Sequence, residues 1–352
     1  MIKTVLAVCV ALAGALFQAP ATITGRNAQE DAQHRSQIRI RDPFVLPEAA
    51  TKTYYIYSST TQGIESVEAR KAVVVYRSQD LEHWTGPTPV FEVPENHWAR
   101  ELVWAPEVHR WKGKYYLFVT LTSSAALATP AGRPQNLKRG TEILVADRPE
   151  GPFVPFANRA QTPEDWMSLD GTLWVEDGVP YMIFCREWIQ ITDGSMELVR
   201  LKDDLSAPLA DPITLFHASA ADWVRCRGDL GELFQGKRSH AYITDGPWLH
   251  RTRSGRLIML WSSYGPAKYA TGVAVSASGK IAGPWVQQPE PLWREDGGHP
   301  MLFQTFDGRL VMVIHQPNRR VERARFFEMD DSGDTIRIVR EIADFAAPPP
   351  RQ

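Results

Sequence analysis

The chain has 352 residues and a formal net charge of −2. A charge so close to zero provides no field that would attract nucleic acid or an anionic membrane, so partners of these two kinds are not expected. Hydrophobic residues make up 43% of the chain, as in ordinary globular proteins, and the length allows one large domain or two smaller ones.

The N-terminal segment has the pattern of a secretory signal. One lysine precedes an apolar stretch over residues 5–17, and Ala19 and Ala21 follow at the spacing of a cleavage site. The apolar stretch is short for a membrane span. We therefore expect residues 1–21 to be removed and the mature protein to be periplasmic or secreted, without membrane attachment. Residues 22–37 are polar and are expected to form a linker.

Five strand-like stretches of aromatic and β-branched residues recur along the rest of the chain. They are KTYYIYSST (52–60), KYYLFVTLT (114–122), VPYMIFCRE (179–187), RLIMLWSSY (256–264) and RLVMVIHQP (309–317). Each is preceded by one strand-like segment and followed by two more. Five units of four strands predict an all-β fold, a five-bladed β-propeller over residues 38–343, with a frayed tail at 344–352. The rival fold, a β-sandwich, would not need the repeat.

A short polar motif precedes the first strand of each unit. The five motifs are RDP (41–43), WAP (104–106), LDG (169–171), TDGP (244–247) and GGHP (297–300). The innermost strands of a propeller begin at one mouth of the central channel. The residues predicted to face one cavity there are Asp42, Trp104, Asp170, Asp245 and His299.

Three carboxyl groups in one pocket would push their pKa values apart. One could then stay ionised while another keeps its proton, which is the division of labour that glycoside hydrolysis requires. The alternative is that each aspartate only satisfies backbone donors at the start of its strand.

The five motifs and the strands that follow them resemble glycoside hydrolase family 43 over residues 38–343. The resemblance implies a propeller enzyme that inverts configuration at furanosides and xylosides. It makes Asp42 the general base that activates water, and Asp170 the group that orients the acid and tunes its pKa. Asp245 falls at the general acid, where the family usually has glutamate before Gly-Pro. This difference leaves Glu232 and Glu187 as alternative proton donors.

Other residues are expected to contact the sugar. Trp104 could stack on a sugar face or be packed in the core, and Glu187 and Trp188 are predicted at the rim of the pocket. Arg325 would hold Asp170 ionised or bond a sugar hydroxyl, with a surface salt bridge as the alternative.

No cofactor is expected to be required for the chemistry. The resemblance places His299 where a family histidine contacts a structural cation, often calcium, through water. A single histidine does not make the oxygen ligand set that calcium prefers, so a core histidine is the alternative. His109 is expected to face solvent.

Two long inserts, 123–140 and 218–240, are predicted to wall the pocket. Cys185 and Cys226 either form a disulfide in an exported protein or remain two free buried thiols.

The sequence thus predicts an exported inverting glycosidase that releases terminal sugars from oligo- or polysaccharide. Arabinofuranosidase, galactofuranosidase and β-xylosidase activities are all compatible with the resemblance, and a monomer is expected. The alternative is a sugar-binding propeller that has lost most of its catalysis.

Overall fold

The computed structural model describes residues 32–60, 71–228, 240–319 and 321–346, which form five radial β-sheets. The predicted signal, Glu232 and residues 347–352 lie outside the described residues. The first sheet contains β1 (Gln33–His34), β2 (Phe44–Glu48), β3 (Thr53–Ser59), β4 (Ala72–Ser78) and β5 (His83–Glu92). The second contains β6 (Leu102–Trp111), β7 (Lys114–Ala126), β8 (Leu137–Ala146) and β9 (Val154–Pro155).

The other three sheets repeat the same plan. The third contains β10 (Ser168–Glu176), β11 (Val179–Arg186), β12 (Ser195–Arg200) and β13 (Ile213–His217). The fourth contains β14 (Asp245–Arg251), β15 (Leu257–Tyr264), β16 (Tyr269–Ser276) and β17 (Trp285–Gln287). The fifth contains β18 (Gly298–Gln304), β19 (Leu310–Gln316), β20 (Arg323–Asp330) and β21 (Arg337–Glu341).

Each sheet is antiparallel, and four of its strands pair in chain order. The predicted five-bladed propeller of four-stranded blades is confirmed. Short helical segments lie between strands, among them the one-turn helix α1 (Trp188–Ile191). No helix among the described residues is long and apolar enough to cross a membrane.

The strands inside a blade differ from those at its outer edge. Residues 72–76 of β4 and 257–263 of β15 are continuously buried, because neighbouring blades pack on both faces of their sheets. The outermost strand β21 alternates exposed and half-buried residues. This difference explains why the middle strands are the most apolar segments of the sequence.

The first and last blades are held together by residues that were predicted to lie outside the propeller. β1 pairs with β5 as a fifth strand of the first sheet. Arg35 Nε lies 2.9 Å from the Glu82 carboxylate, and its Nη2 donates to the Ile342 carbonyl at 2.8 Å. The Phe345 ring is buried against the same guanidinium, 5.5 Å from Cζ. The ordered structure therefore extends beyond the predicted limits of 38 and 343.

The innermost strands share a backbone feature at their starts. In all five blades one residue has a left-handed conformation, with φ of 49° at Asp42, 43° at Ala105, 55° at Asp170, 53° at Gly246 and 55° at His299. Proline or glycine follows each of them. By this criterion Trp104 and Asp245 stand one residue before the equivalent position, so their predicted alignment with Asp42 was wrong by one residue. A one-residue offset changes the direction from which a side chain enters the cavity.

Candidate active site

The starts of the innermost strands surround a cavity of about 440 Å³. It brings together residues that are more than 250 positions apart in the chain. Of the predicted site residues, those that line the cavity are Asp42, Trp104, Asp170, Glu187, Trp188, Asp245 and His299.

Asp42 lies among groups that favour its ionised form. Its Oδ1 is 3.1 Å from Nδ1 of His315 and 3.3 Å from Nδ1 of His299, and its Oδ2 is 3.7 Å from Nε of Arg41. Burial alone would raise the pKa of Asp42, but His299, Arg41 and His315 together hold it well below its usual range. Asp42 is therefore a carboxylate that can accept a proton.

Asp170 is fixed by the backbone of the next blade. Its Oδ2 accepts a hydrogen bond from the Gly246 amide at 3.0 Å, and its own amide donates to Oγ1 of Thr120 at 2.8 Å. Burial, with the nearby charges of Asp245 and Asp42, raises the pKa of Asp170 well above its usual value. Asp170 is thus bonded to the residue that follows Asp245 at the start of β14.

Asp245 has a single described hydrogen-bond donor at its carboxyl group. The hydroxyl of Tyr269 donates to Oδ2 at 2.7 Å. Burial raises the pKa of Asp245 to about 7; the Tyr269 hydrogen bond opposes this shift and the Asp42 charge adds to it. Asp245 can therefore exchange a proton near neutral pH.

The residue after Asp245 is constrained by contact across the channel. Gly246 has a φ of 53°, and a Cβ atom there would lie 2.8 Å from Cγ of the His299 ring. Only glycine fits such a close approach. The Gly-Pro turn thus holds Asp245 next to the buried histidine and leaves the Gly246 amide free to bond Asp170.

His299 is buried beside two of the three acids of the cavity. Its Nδ1 lies 3.3 Å from Asp42 and 3.8 Å from Asp170, and its amide donates to Oγ of Ser262 at 2.9 Å. Burial lowers the pKa of His299. The described residues contain no group of three or more His, Cys, Asp and Glu side chains arranged to hold a metal directly. They do not fit direct calcium coordination, and a water-mediated cation stays a prediction.

Arg325 does not lie at the cavity. Its Nε donates to Glu341 at 2.7 Å, and its Nη1 donates to Gln316 at 2.9 Å. Arg325 is on β20, the third strand of its blade, so it faces the blade edge rather than the channel mouth. The prediction that it binds substrate is corrected in favour of the alternative, a surface ion pair.

His109 was expected to face solvent, and this expectation was wrong. Its Nε2 is 2.9 Å from the buried Glu107 carboxylate. Its ring stacks on Trp248 at 6.1 Å with an interplanar angle of 18°. His109 is therefore part of the packing between the innermost strands.

The two cysteines have separate partners. Both thiols are free; Cys185 is buried, and Cys226 is partly exposed with its Sγ 3.2 Å from Nδ1 of His240. Of the two alternatives left open by the sequence, the structure has the free thiols, although only Cys185 is fully buried.

Several groups at the site were missed or undervalued in the sequence. Arg41 stands beside Asp42 in the RDP motif, so its position was available as a signal. Tyr269 begins β16, and only the cross-strand pairing with Tyr264 brings it to the cavity. His315 stacks on Tyr269 and bonds Asn318 at 2.9 Å. Nothing in the local sequence connects Tyr269 or His315 to Asp42 or Asp245.

A propeller cavity in which the pKa of one carboxyl group, Asp42, is lowered and that of another, Asp245, is raised contains the base and the acid that define an acid–base glycosidase class. Residues 36–334 match the family model described as glycosyl hydrolases family 43. The chain belongs to this family and is a glycoside hydrolase.

Relatives within the family differ in the activities named for them. An endo-arabinase structure from Bacteroides thetaiotaomicron is 39% identical, with a TM-score of 0.73, over 84% of this chain and 95% of that one. The extracellular exo-α-(1→5)-L-arabinofuranosidase ArbA of Cellvibrio japonicus is 21% identical over 79% of each chain. The α-L-arabinofuranosidase 43 of Humicola insolens is 23% identical, covering 82% of this chain and 60% of that protein.

Proposed function

We propose that this protein is an inverting, exo-acting glycosidase that releases terminal L-arabinofuranose units from polysaccharide side chains. The observation that carries the proposal is the opposite protonation preference of Asp42 and Asp245 within one cavity. An inverting glycosidase needs a carboxylate base on one side of the sugar and a protonated acid on the other.

In the proposed reaction Asp42 removes a proton from a water molecule, and the resulting hydroxide attacks the anomeric carbon. Asp245 gives its proton to the glycosidic oxygen, so the bond to the leaving sugar breaks as the new bond to water oxygen forms. Asp170 orients the acid side by accepting the Gly246 amide. Asp42 ends protonated and Asp245 ends ionised, and solvent restores both.

Arabinofuranose is favoured because the names of two curated relatives and of one solved structure refer to arabinose polymers or arabinofuranosides. Exo action is favoured by the size of the cavity. A volume of about 440 Å³ is in the lower part of the range for small-molecule sites and suits a chain end.

The test is a comparison of p-nitrophenyl α-L-arabinofuranoside, β-D-galactofuranoside and β-D-xylopyranoside. The proposal predicts the highest kcat/KM for the arabinofuranoside, and release of arabinose from linear arabinan without a rapid fall in viscosity. A rapid viscosity loss would indicate endo action. Binding of these sugars without turnover would favour the alternative, a sugar-binding propeller.

The stereochemistry of the product is a separate test. Proton NMR of the reaction in its first minutes is expected to show the inverted anomer before mutarotation mixes the two forms. A retained anomer would contradict the assignment of Asp42 as a base that acts through water.

We also propose that the protein is exported. The apolar N-terminal pattern supports export, as does the similarity to a relative named as extracellular. The mature protein recovered from the periplasm or medium of the expressing cells is expected to begin at Thr22. Recovery of the whole chain from the cytoplasm, with residues 1–21 intact, would contradict the proposal.

A further inference from the structure

Arg139 is a buried arginine beside the cavity, and it has no role in the proposed reaction. It lies on β8 and is only 5% exposed. Its Nε donates to Oγ1 of Thr122 at 2.9 Å, and its Nη1 donates to Oε2 of Glu187. Its Cζ is 4.3 Å from the centre of the Trp104 ring. Both Glu187 and Trp104 line the cavity, so one arginine holds two parts of its wall.

Glu187 uses only one of its carboxylate oxygens in this contact. Oε2 is bonded to Arg139, whereas Oε1 accepts no hydrogen bond from the described residues and is not closed off from the cavity. Burial raises the pKa of Glu187, and Arg139 opposes that shift. A guanidinium in direct contact favours the ionised carboxylate, which can accept hydrogen bonds but has no proton to give.

A second arginine from the same insert fixes the segment that follows Glu187. The Nη2 atom of Arg133 donates to the carbonyl oxygens of Trp188 and Ile189, each at 3.0 Å. Its Nη1 donates to Oγ1 of Thr192 at the end of the one-turn helix α1. The insert 123–140 thus supplies two arginines to the segment 187–192. Arg139 bonds its first residue, and Arg133 bonds the residues that follow.

We propose that Arg139 is a positioning residue that keeps Glu187 ionised, and that Oε1 of Glu187 accepts a hydrogen bond from a hydroxyl group of the sugar in the cavity. The proposal rests on the glycosidase function and specifies how the terminal sugar is selected. Glu187 is then a sugar-binding residue rather than the proton donor. Trp104, stacked on the other side of Arg139, provides the apolar surface beside the same sugar.

The effect on kinetics follows from when the hydrogen bond forms. A bond to a hydroxyl group that does not react is made in the ground state and in the transition state alike, so its loss raises KM and leaves kcat nearly unchanged. A buried polar group that loses its hydrogen-bond partner costs about 10- to 100-fold in kcat/KM.

The experiment compares Glu187→Gln, Arg139→Gln and Arg139→Lys on the nitrophenyl glycoside that the wild type hydrolyses best. The control is Arg186→Gln: this neighbouring arginine stacks on Trp166 at 4.0 Å and bonds Gln190, but does not line the cavity. We expect KM to rise about tenfold in the two glutamine variants and less in Arg139→Lys, with kcat within threefold. Because the Glu187 charge helps to raise the pKa of Asp245, any movement of the basic pH limit in Glu187→Gln should be to lower pH. Arg186→Gln is expected to keep the wild-type KM. Thermal unfolding of each variant checks that the fold is intact.

Two results would overturn the proposal. A KM unchanged in folded Glu187→Gln would show that Glu187 does not bind the sugar. A kcat about 10³-fold lower on an unactivated disaccharide, with normal turnover of a dinitrophenyl glycoside, would make Glu187 the proton donor. If the wild type hydrolyses no glycoside, the proposed function fails instead, and calorimetry with L-arabinose decides this inference: affinity about tenfold weaker in Glu187→Gln supports it, and equal affinity contradicts it.

Discussion

An aspartate lies on each side of the cavity, Asp42 at blade one and Asp245 at blade four. The two side chains are the same, but their neighbouring groups differ. Asp42 is within 3.7 Å of two histidine rings and an arginine, and these groups favour its charge. Asp245 has one neutral hydrogen-bond donor, the Tyr269 hydroxyl, and its pKa stays raised by burial and by the Asp42 charge although Arg41 opposes the shift. The comparison shows that the partners around an aspartate, and not its residue type, decide whether it serves as base or as acid.

The largest expected effect is from Asp42→Asn, which removes the base and keeps the shape. We expect kcat/KM to fall about 10³- to 10⁴-fold on every substrate, because the water must be activated whatever the leaving group is. Steady-state kinetics on nitrophenyl and natural substrates measure this loss. A fall of less than tenfold in a folded variant would remove Asp42 from the mechanism.

Asp245→Asn is expected to have an effect that depends on the leaving group. Loss of the proton donor should lower kcat about 10²- to 10⁴-fold on an arabino-oligosaccharide, whose leaving oxygen needs protonation. A dinitrophenyl glycoside needs little protonation and should lose less than tenfold. Equal losses on both substrates would contradict the role of Asp245 as the acid and direct attention to Glu187 or Glu232.

Arg41→Gln should weaken the preference of Asp42 for its charged form. Arg41 is one of the groups that lower the pKa of Asp42, so its removal should raise that pKa and move the acidic limit of kcat/KM to higher pH. Activity near pH 7 should fall only severalfold, because Asp42 is still largely ionised there. An acidic limit that stays in place, or moves to lower pH, would contradict this account.

The smallest expected effect is from Tyr269→Phe. The Tyr269 hydrogen bond lowers the pKa of Asp245, so its loss should raise that pKa and extend activity to higher pH by up to about one unit. Tyr264→Phe is a matched comparison: Tyr264 lines the same cavity, but its hydroxyl accepts from Asn318 rather than contacting Asp245. A basic limit that moves equally in both variants would show that Tyr269 has no specific role.

The repeat made the propeller and the acids of three blades predictable, because hairpin glycines and buried strands mark each blade locally. The offset of Asp245 was not predictable from the motif letters. It depends on the left-handed residue at the start of each strand, which is Gly246 rather than Asp245 in the fourth blade. In TDGP either Gly246 or Pro247 could be the residue that follows this position, so the letters alone do not decide the alignment.

The contacts that tune the site were not predictable, because each joins distant parts of the chain. Arg139 reaches Glu187 from the neighbouring blade, and His315 reaches Asp42 from the last blade to the first. Arg325 shows the opposite error: its charge suggested a role at the site, but its strand position directs it to Glu341. Residue type indicated the chemistry, and only the packing of the blades decided which charges meet.

The most direct test of the central claim is the pH dependence of kcat/KM, measured for the wild type and for Asp245→Asn on the same arabino-oligosaccharide. Asp245 has a pKa of about 7 and carries its proton only below that pH. Wild-type activity should therefore fall as the pH rises through about 7. The variant should lack this basic limit. A basic limit near pH 7 that persists in Asp245→Asn would show that another group donates the proton.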